Sequence, residues 1–201
     1  FCLNPEQAST VTLQPITRYR FDAAILFSDI LIVPWALQRN VRFKPNVGPL
    51  LDPMQSPKAI EQSLIDDLPQ KLAPVGEALR LTKSNLPTET ALIGFAGAPW
   101  TVMTYMAEGG SSRDFAITRE WAWKHPKLVD ALLGSLIEST ISFLSLQASA
   151  GADALMLFDS WASAVPAAQR NWLVTRPAQL IIEGLRKNGH QQPVIGFPKG
   201  I

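Results

Sequence analysis

A few polar residues stand where this chain could do chemistry. Ser28 and Asp29 interrupt two apolar runs in FDAAILFSDILIVP, residues 21–34. Asp159 and Ser160 close ADALMLFDSW at 152–161, and Tyr105 follows the small-residue stretch of FAGAPWTVMTYMAEGGSSRDF at 95–115. A carboxylate can act as a general base, stabilise a developing cation or accept several N–H donors, whereas tyrosine and serine hydroxyls donate. Asp29 is the sharpest candidate, because ILIVP continues apolar after it. An ionised carboxylate in such a mouth costs free energy unless a cation or several donors face it. A structural role, as an N-cap or a bond to a neighbouring loop, stays open for Asp29 and more so for Asp159. Tyr105 can equally be a core tyrosine, and GGSS at 109–112 either wraps an anion with backbone N–H groups or forms a plain loop.

Other chemistries lack their residues. His125 and His190 have no Cys, His or carboxylate at metal-ligand spacing, so no metal site is expected. There is no GxSxG elbow and no Cys/His pairing for nucleophilic attack. Cys2 is the single cysteine, which rules out an internal disulfide and favours a reducing compartment. With 18 basic against 17 acidic residues and no block of like charge, no nucleic-acid partner is expected. No apolar run approaches the roughly 18 to 20 consecutive residues of a membrane span, and no basic-then-apolar leader opens the chain. The expectation is a soluble, cytoplasmic protein with no membrane partner.

The elements that must position these residues follow a rhythm. Continuous apolar stretches at 22–29, 91–100, 152–161 and 193–200 each stop at a small, polar or glycine-containing turn, as strands buried on both faces do. Between them lie helical patterns, at 5–19 before the first pair, then over 56–85, 113–151 and 167–189. The third is the clearest, since Val129, Leu132, Leu133, Leu136, Ile137, Ile141 and Leu144 recur at helical spacing and Gly151 stands where a stop belongs. Repeated βα units predict an α/β fold. A doubly wound sheet would carry a glycine-rich phosphate loop, and neither GxGxxG nor a Walker pattern occurs, which favours the (β/α)8 TIM barrel. Residues 36–57 read as a long loop with room for a short hairpin. About four βα units cannot close a barrel, the chain begins at Phe1 without methionine, and it ends just after a strand-type run. The expectation is one domain, residues 1–201, forming part of a barrel truncated at both ends. Since barrel sites lie at the C-terminal ends of strands, Ser28, Asp29, the Gly97–Trp100 corner, Asp159, Ser160 and Lys199 are the positions to watch.

Taken together and in order, FDAAILFSDILIVP, GFAGAPWTVMTYMAEGGSS and ALMLFDSWA resemble the uroporphyrinogen decarboxylase family of tetrapyrrole and haem biosynthesis, and NPEQASTVTLQPITRYRFDAAILFSDIL is similar to it without a break. The resemblance covers essentially the whole chain. It implies a (β/α)8 barrel, typically homodimeric, that removes the carboxyl groups of the four acetate arms of uroporphyrinogen to give coproporphyrinogen, with no metal or organic cofactor. Carried over by position, it makes Asp29 the anchor for the four pyrrole N–H groups and the catalytic carboxylate. Tyr105 becomes a second catalytic and substrate-binding residue, Ser160 a hydrogen-bond donor to Asp29 or substrate, and Phe27 and Phe95 apolar walls against the macrocycle. The family's arginine-rich segment, similar to RQAGRYLPEYR, and its later strands with a site histidine have no counterpart here, so this 201-residue segment alone is expected to be inactive. WALQRN at 35–40 and GFPKGI at 196–201 also depart from the family pattern, away from the named residues. Two alternatives are a zinc-dependent, corrinoid-related methyltransferase of the same superfamily and a non-catalytic tetrapyrrole-binding or truncated barrel.

Overall fold

A computed structural model describes residues 1–45 and 47–201. Helix α1, Pro5–Tyr19, starts where Asn4 Oδ1 accepts the Gln7 N–H at 2.9 Å and Pro5 presets the first turn; it stops at Arg20 in the left-handed region. Strand β1, Ala23–Ile25, leads to the short helix α2, Ile32–Ala36. The anticipated hairpin is present: β2, Arg42–Lys44, pairs antiparallel with β3, Gly48–Leu50. After α3 (Gln62–Asp66), α4 (Leu68–Lys71) and α5 (Ala73–Asn85) comes β4, Ala91–Gly97. Helices α6 (Pro99–Glu108), α7 (Ala116–Lys124) and α8 (Pro126–Ser149) precede β5, Ala154–Asp159. Two short 3₁₀ turns and a π-helical turn at Asn171–Thr175 lead into α9, Arg176–Lys187, and β6, Val194–Pro198, closes the sequence.

Strands β1, β4, β5 and β6 form one parallel sheet in that order, each joined to the next by helical crossovers. Strand order that follows chain order, with no reversal, describes an arc of a barrel. The architecture is α/β, a partial TIM-barrel-like fold. Register places Ile25, Ile93, Phe95, Met156, Phe158, Ile195 and Phe197 on one face of the arc. Leu92, Leu155 and Leu157 face the other way, at most 3% exposed, with α8 packed against β4 and β5. By length and composition α8 is apolar enough to cross a membrane, a possibility that counting consecutive apolar residues passes over; half of its apolar window is buried within the protein, as in a core helix.

The helical intervals are more broken than periodicity suggests. The pattern over 56–85 becomes three helices, with residues 56–61 outside them and Pro69 and Pro74 in the first turns of α4 and α5. The pattern over 113–151 splits at His125, which precedes Pro126 and adopts φ −131°, ψ 50°, outside the helical region. Gly151, at φ 106°, stands at the helix stop as expected. Strand β1 is the largest departure: it ends at Ile25, although the apolar run carries on through Leu26 and Phe27.

Candidate active site

Asp29 lies in the segment that leaves the sheet after β1 and crosses the end of β4. The crossing depends on Gly97, where a Cβ would come within 2.9 Å of both the Ile30 carbonyl oxygen and Val102 Cγ2. Asp29 Oδ1 accepts the Leu31 N–H at 2.7 Å, and the Asp29 carbonyl accepts the Ile32 N–H at 3.2 Å. The aspartate therefore also has the structural role left open above, bracing the turn that starts α2. Beside it a cavity of about 250 Å³ is lined by Phe1, Cys2, Leu3, Leu31, Ile32, Trp35, Val41 and Phe43. Burial in these surroundings pushes the Asp29 carboxyl above its ordinary value, partly offset by the Leu31 N–H. Burial, with the charge of Asp29 added, also raises the Cys2 thiol.

Tyr105 projects from α6 and is 7% exposed. Burial raises its phenol, the indole of Trp161 acts in the opposite direction, and the Asp29 charge raises it further, so aspartate and tyrosine share one electrostatic environment. The Tyr105 and Trp161 rings lie 6.3 Å apart, and Phe115 packs tilted against Trp161, with centroids 5.0 Å apart and planes at 46°. Trp161 is held at its backbone, where its N–H donates to Thr101 Oγ1 at 3.1 Å and its carbonyl accepts the Trp100 indole N–H at 3.0 Å. Its own Nε1 and the Ser28 hydroxyl are buried without a partner among the described residues.

Asp159 takes the structural role. It is 4% exposed, its Oδ1 accepts the Thr101 hydroxyl at 2.5 Å, and burial pushes its carboxyl up to about 6 against that bond. Ser160, half-buried, follows at the C-terminal end of β5, and among the described residues no hydrogen bond joins its side chain to Asp29 or Tyr105. Phe95 lies on the inner face of the arc, packed edge-on against Phe158 with centroids 5.3 Å apart. Phe27, 38% exposed, meets the Phe1 ring at 6.4 Å. GGSS at 109–112 serves as a connector: Gly109 is the left-handed stop of α6, its carbonyl accepts the Leu51 N–H, and Ser112 Oγ accepts the Phe115 N–H.

The structure thus joins Asp29 and Tyr105 electrostatically, sets Phe95 on the apolar inner face, and leaves Ser160 at a strand end with no hydrogen bond to either among the described residues. Sequence reasoning missed Trp161, although it stands next to Ser160 in FDSW, and it treated Cys2 only as a redox clue. Tertiary packing alone brings Phe1, Cys2 and Phe43 to Asp29, and no sequence pattern marks them. Among the described residues no three His, Cys, Asp or Glu side chains cluster as metal ligands would.

Comparison with known proteins bears on this arrangement. Residues 1–201 match the family model described as uroporphyrinogen decarboxylase (URO-D). The chain is 48% identical over 199 residues to the uroporphyrinogen decarboxylase of Rhodospirillum rubrum, covering 99% of this chain and 57% of that protein. It is 46% identical to that of Maricaulis maris, covering 100% and 58%, and 47% identical to that of Caulobacter vibrioides, covering 100% and 56%. The chain therefore spans somewhat over half the length of these curated relatives. Among solved structures, a methyltransferase from Methanosarcina mazei superposes with a TM-score of 0.77 at 16% identity, covering 96% of this chain and 56% of that one; it speaks to the fold alone.

Proposed function

The chain belongs to the uroporphyrinogen decarboxylase family, and on that premise we propose that the protein removes the four acetate carboxyl groups of uroporphyrinogen, giving coproporphyrinogen, with Asp29 as anchor and catalytic carboxylate. The observation that carries this reading is a carboxylate at the C-terminal end of a barrel strand, braced by one backbone N–H and set among apolar side chains with Tyr105 in its field. A porphyrinogen presents four converging pyrrole N–H donors, and an ionised carboxylate offers about four lone-pair sites.

The chemistry gives Asp29 its second role. A proton added to the ring carbon beside an acetate arm makes that pyrrole cationic; the bond to the carboxylate then breaks, its electron pair flows into the ring, and CO2 leaves. The exocyclic methylene so formed takes a proton to become methyl, and the ring carbon gives up the proton it gained. Net, one proton is consumed per CO2 released, and the substrate is its own electron sink. A fixed carboxylate in low-dielectric surroundings stabilises the cationic pyrrole more than the neutral one, which is the condition for catalysis. Tyr105 donates a hydrogen bond to Asp29 or to a substrate carboxylate, Ser160 does so from the end of β5, and Phe27 and Phe95 wall the macrocycle. The reading includes no cofactor, a homodimer and a cytoplasmic location, all supported by the family resemblance. The zinc methyltransferase alternative has only a likeness of fold behind it, and among the described residues no cluster of metal-ligating side chains favours it.

The test is anaerobic incubation of the full-length protein with uroporphyrinogen, followed by chromatography of the porphyrins after oxidation. Successive seven-, six-, five- and four-carboxyl products are expected; unchanged substrate with a folded, full-length protein overturns the proposal.

A further inference from the structure

Strand β1 stops two residues before its apolar run does, and the reason lies in α8. On β4, alternate residues turn their backbone groups to opposite neighbours: Ala91 donates to Asp22 and Ile93 accepts from Leu26 on the β1 side, while Ala98 donates to Phe158 and Leu92 accepts from Asp153 on the β5 side. Phe95 therefore presents its N–H and carbonyl toward β1, where Leu26 to Ser28 would have continued the ladder. Both groups are taken instead by one side chain. Gln147 Oε1 accepts the Phe95 N–H and Gln147 Nε2 donates to the Phe95 carbonyl, each at 2.8 Å, and Gln147 is 1% exposed. Its amide imitates the peptide unit of a neighbouring strand.

Two further residues are matched to this substitution. A Cβ on residue 94 would lie 2.6 Å from Gln147 Oε1, so Gly94 leaves the space the amide occupies. Phe27, the residue that register would place opposite Phe95, turns its N–H away from β4, on the side opposite to that of Leu26, and gives it to Thr12 Oγ1 of α1 at 2.8 Å. Both backbone groups that Phe95 would have shared with a longer β1 thus find a side-chain partner, as buried backbone groups require. Freed from the sheet, the segment after Leu26 crosses above Gly97 and delivers Asp29 to its cavity.

We propose that Gln147 is a positioning residue for the reaction: by taking both backbone groups of Phe95 in place of β1, it releases residues 27–31 from the sheet and fixes where Asp29 stands. This rests on the decarboxylase reading for its kinetic test, but its structural consequence stands apart. With Gln147 replaced by an apolar side chain, the unpaired Phe95 groups regain partners by extending β1 through Phe27, which drags Asp29 toward the sheet. A misplacement of about 1 Å costs on the order of a hundredfold in rate.

Gln147→Met in the full-length protein keeps the length of the side chain and removes both hydrogen bonds. The expected result is a kcat at least tenfold below the parent with a smaller change in KM, and a crystal structure in which β1 is longer and Asp29 displaced. Gln147→Glu is the second variant. Protonated, its carboxyl can restore both bonds; ionised, it faces the Phe95 carbonyl, so its kcat relative to the parent should fall as pH rises, a profile that a mere packing role does not produce. A Met variant with parental kcat and an unmoved Asp29 overturns the proposal. If the Met variant fails to fold, a Glu variant whose kcat ratio to the parent does not change with pH overturns it. A parent inactive on uroporphyrinogen sinks the decarboxylase reading instead, and the position of Asp29 in the variant crystal structure then decides the positioning claim alone.

Discussion

Asp159→Asn should stabilise the protein in a pH-dependent way whose size follows from the structure. The carboxyl lies behind the sheet, 4% exposed, with the Thr101 hydroxyl on Oδ1, and burial carries it from an ordinary 3.8 up to about 6. Between those values the folded protein holds a proton that the unfolded chain has released. Stability contributed by this group is therefore full below about pH 3.8 and is lost as pH rises through about 6. The whole window is worth about 3 kcal/mol, roughly half of it falling between pH 5 and 8. Asparagine keeps an acceptor for Thr101 and never ionises. In urea denaturation of full-length parent and variant at a series of pH values, the other carboxylates cancel in the difference, and the variant's advantage should grow by about 1.5 kcal/mol from pH 5 to 8. A difference that stays constant over that range would falsify the placement of Asp159 as a buried, neutral-preferring carboxyl.

Other expectations follow from the same geometry. Tyr105→Phe keeps the ring beside Trp161 and deletes the donor, so kcat should fall roughly ten- to a hundredfold with KM little changed; steady-state kinetics giving a parental kcat would remove Tyr105 from the mechanism. Gly97→Ala forces a methyl against the Ile30 carbonyl and Val102, and thermal unfolding should report a loss of about 1 to 3 kcal/mol together with reduced turnover, whereas a neutral result would mean the Asp29 segment does not rest on β4. Because burial raises Asp29 and the ionised form is the active one, activity should decline as pH falls, with the acid limb of kcat/KM above the ordinary carboxylate value; a limb at or below pH 3.8 contradicts the apolar setting.

The sequence made the βα rhythm legible because strands buried on both faces leave continuous apolar runs, and all four such runs are strands of the sheet. What it concealed are places where one residue overrides a pattern. Pro69, Pro74 and Pro126 cut helices whose apolar periodicity runs on past them. Gln147 ends β1 from 120 residues away or more in sequence, beyond any local signal. At the candidate site, Asp29 announced itself by being charged among apolar neighbours, and Tyr105 by following a small-residue corner. The contrast between Asp29 and Asp159, both closing apolar runs, was not legible, since it depends on which face of the arc each carboxylate meets and on Thr101 reaching across from α6. Trp161 escaped notice because an aromatic next to a strand end reads as core, and only its unpartnered indole nitrogen marks it out.

The central claim is that Asp29 holds the macrocycle and stabilises its cationic form. Asp29→Asn in the full-length protein preserves shape and the bond from Leu31 while removing the charge. Measured anaerobically beside the parent with uroporphyrinogen, it should show weaker substrate binding and lose about 3 kcal/mol of transition-state stabilisation, a drop in kcat/KM on the order of a hundredfold. A folded Asn variant that converts uroporphyrinogen to coproporphyrinogen at the parental rate would contradict the account.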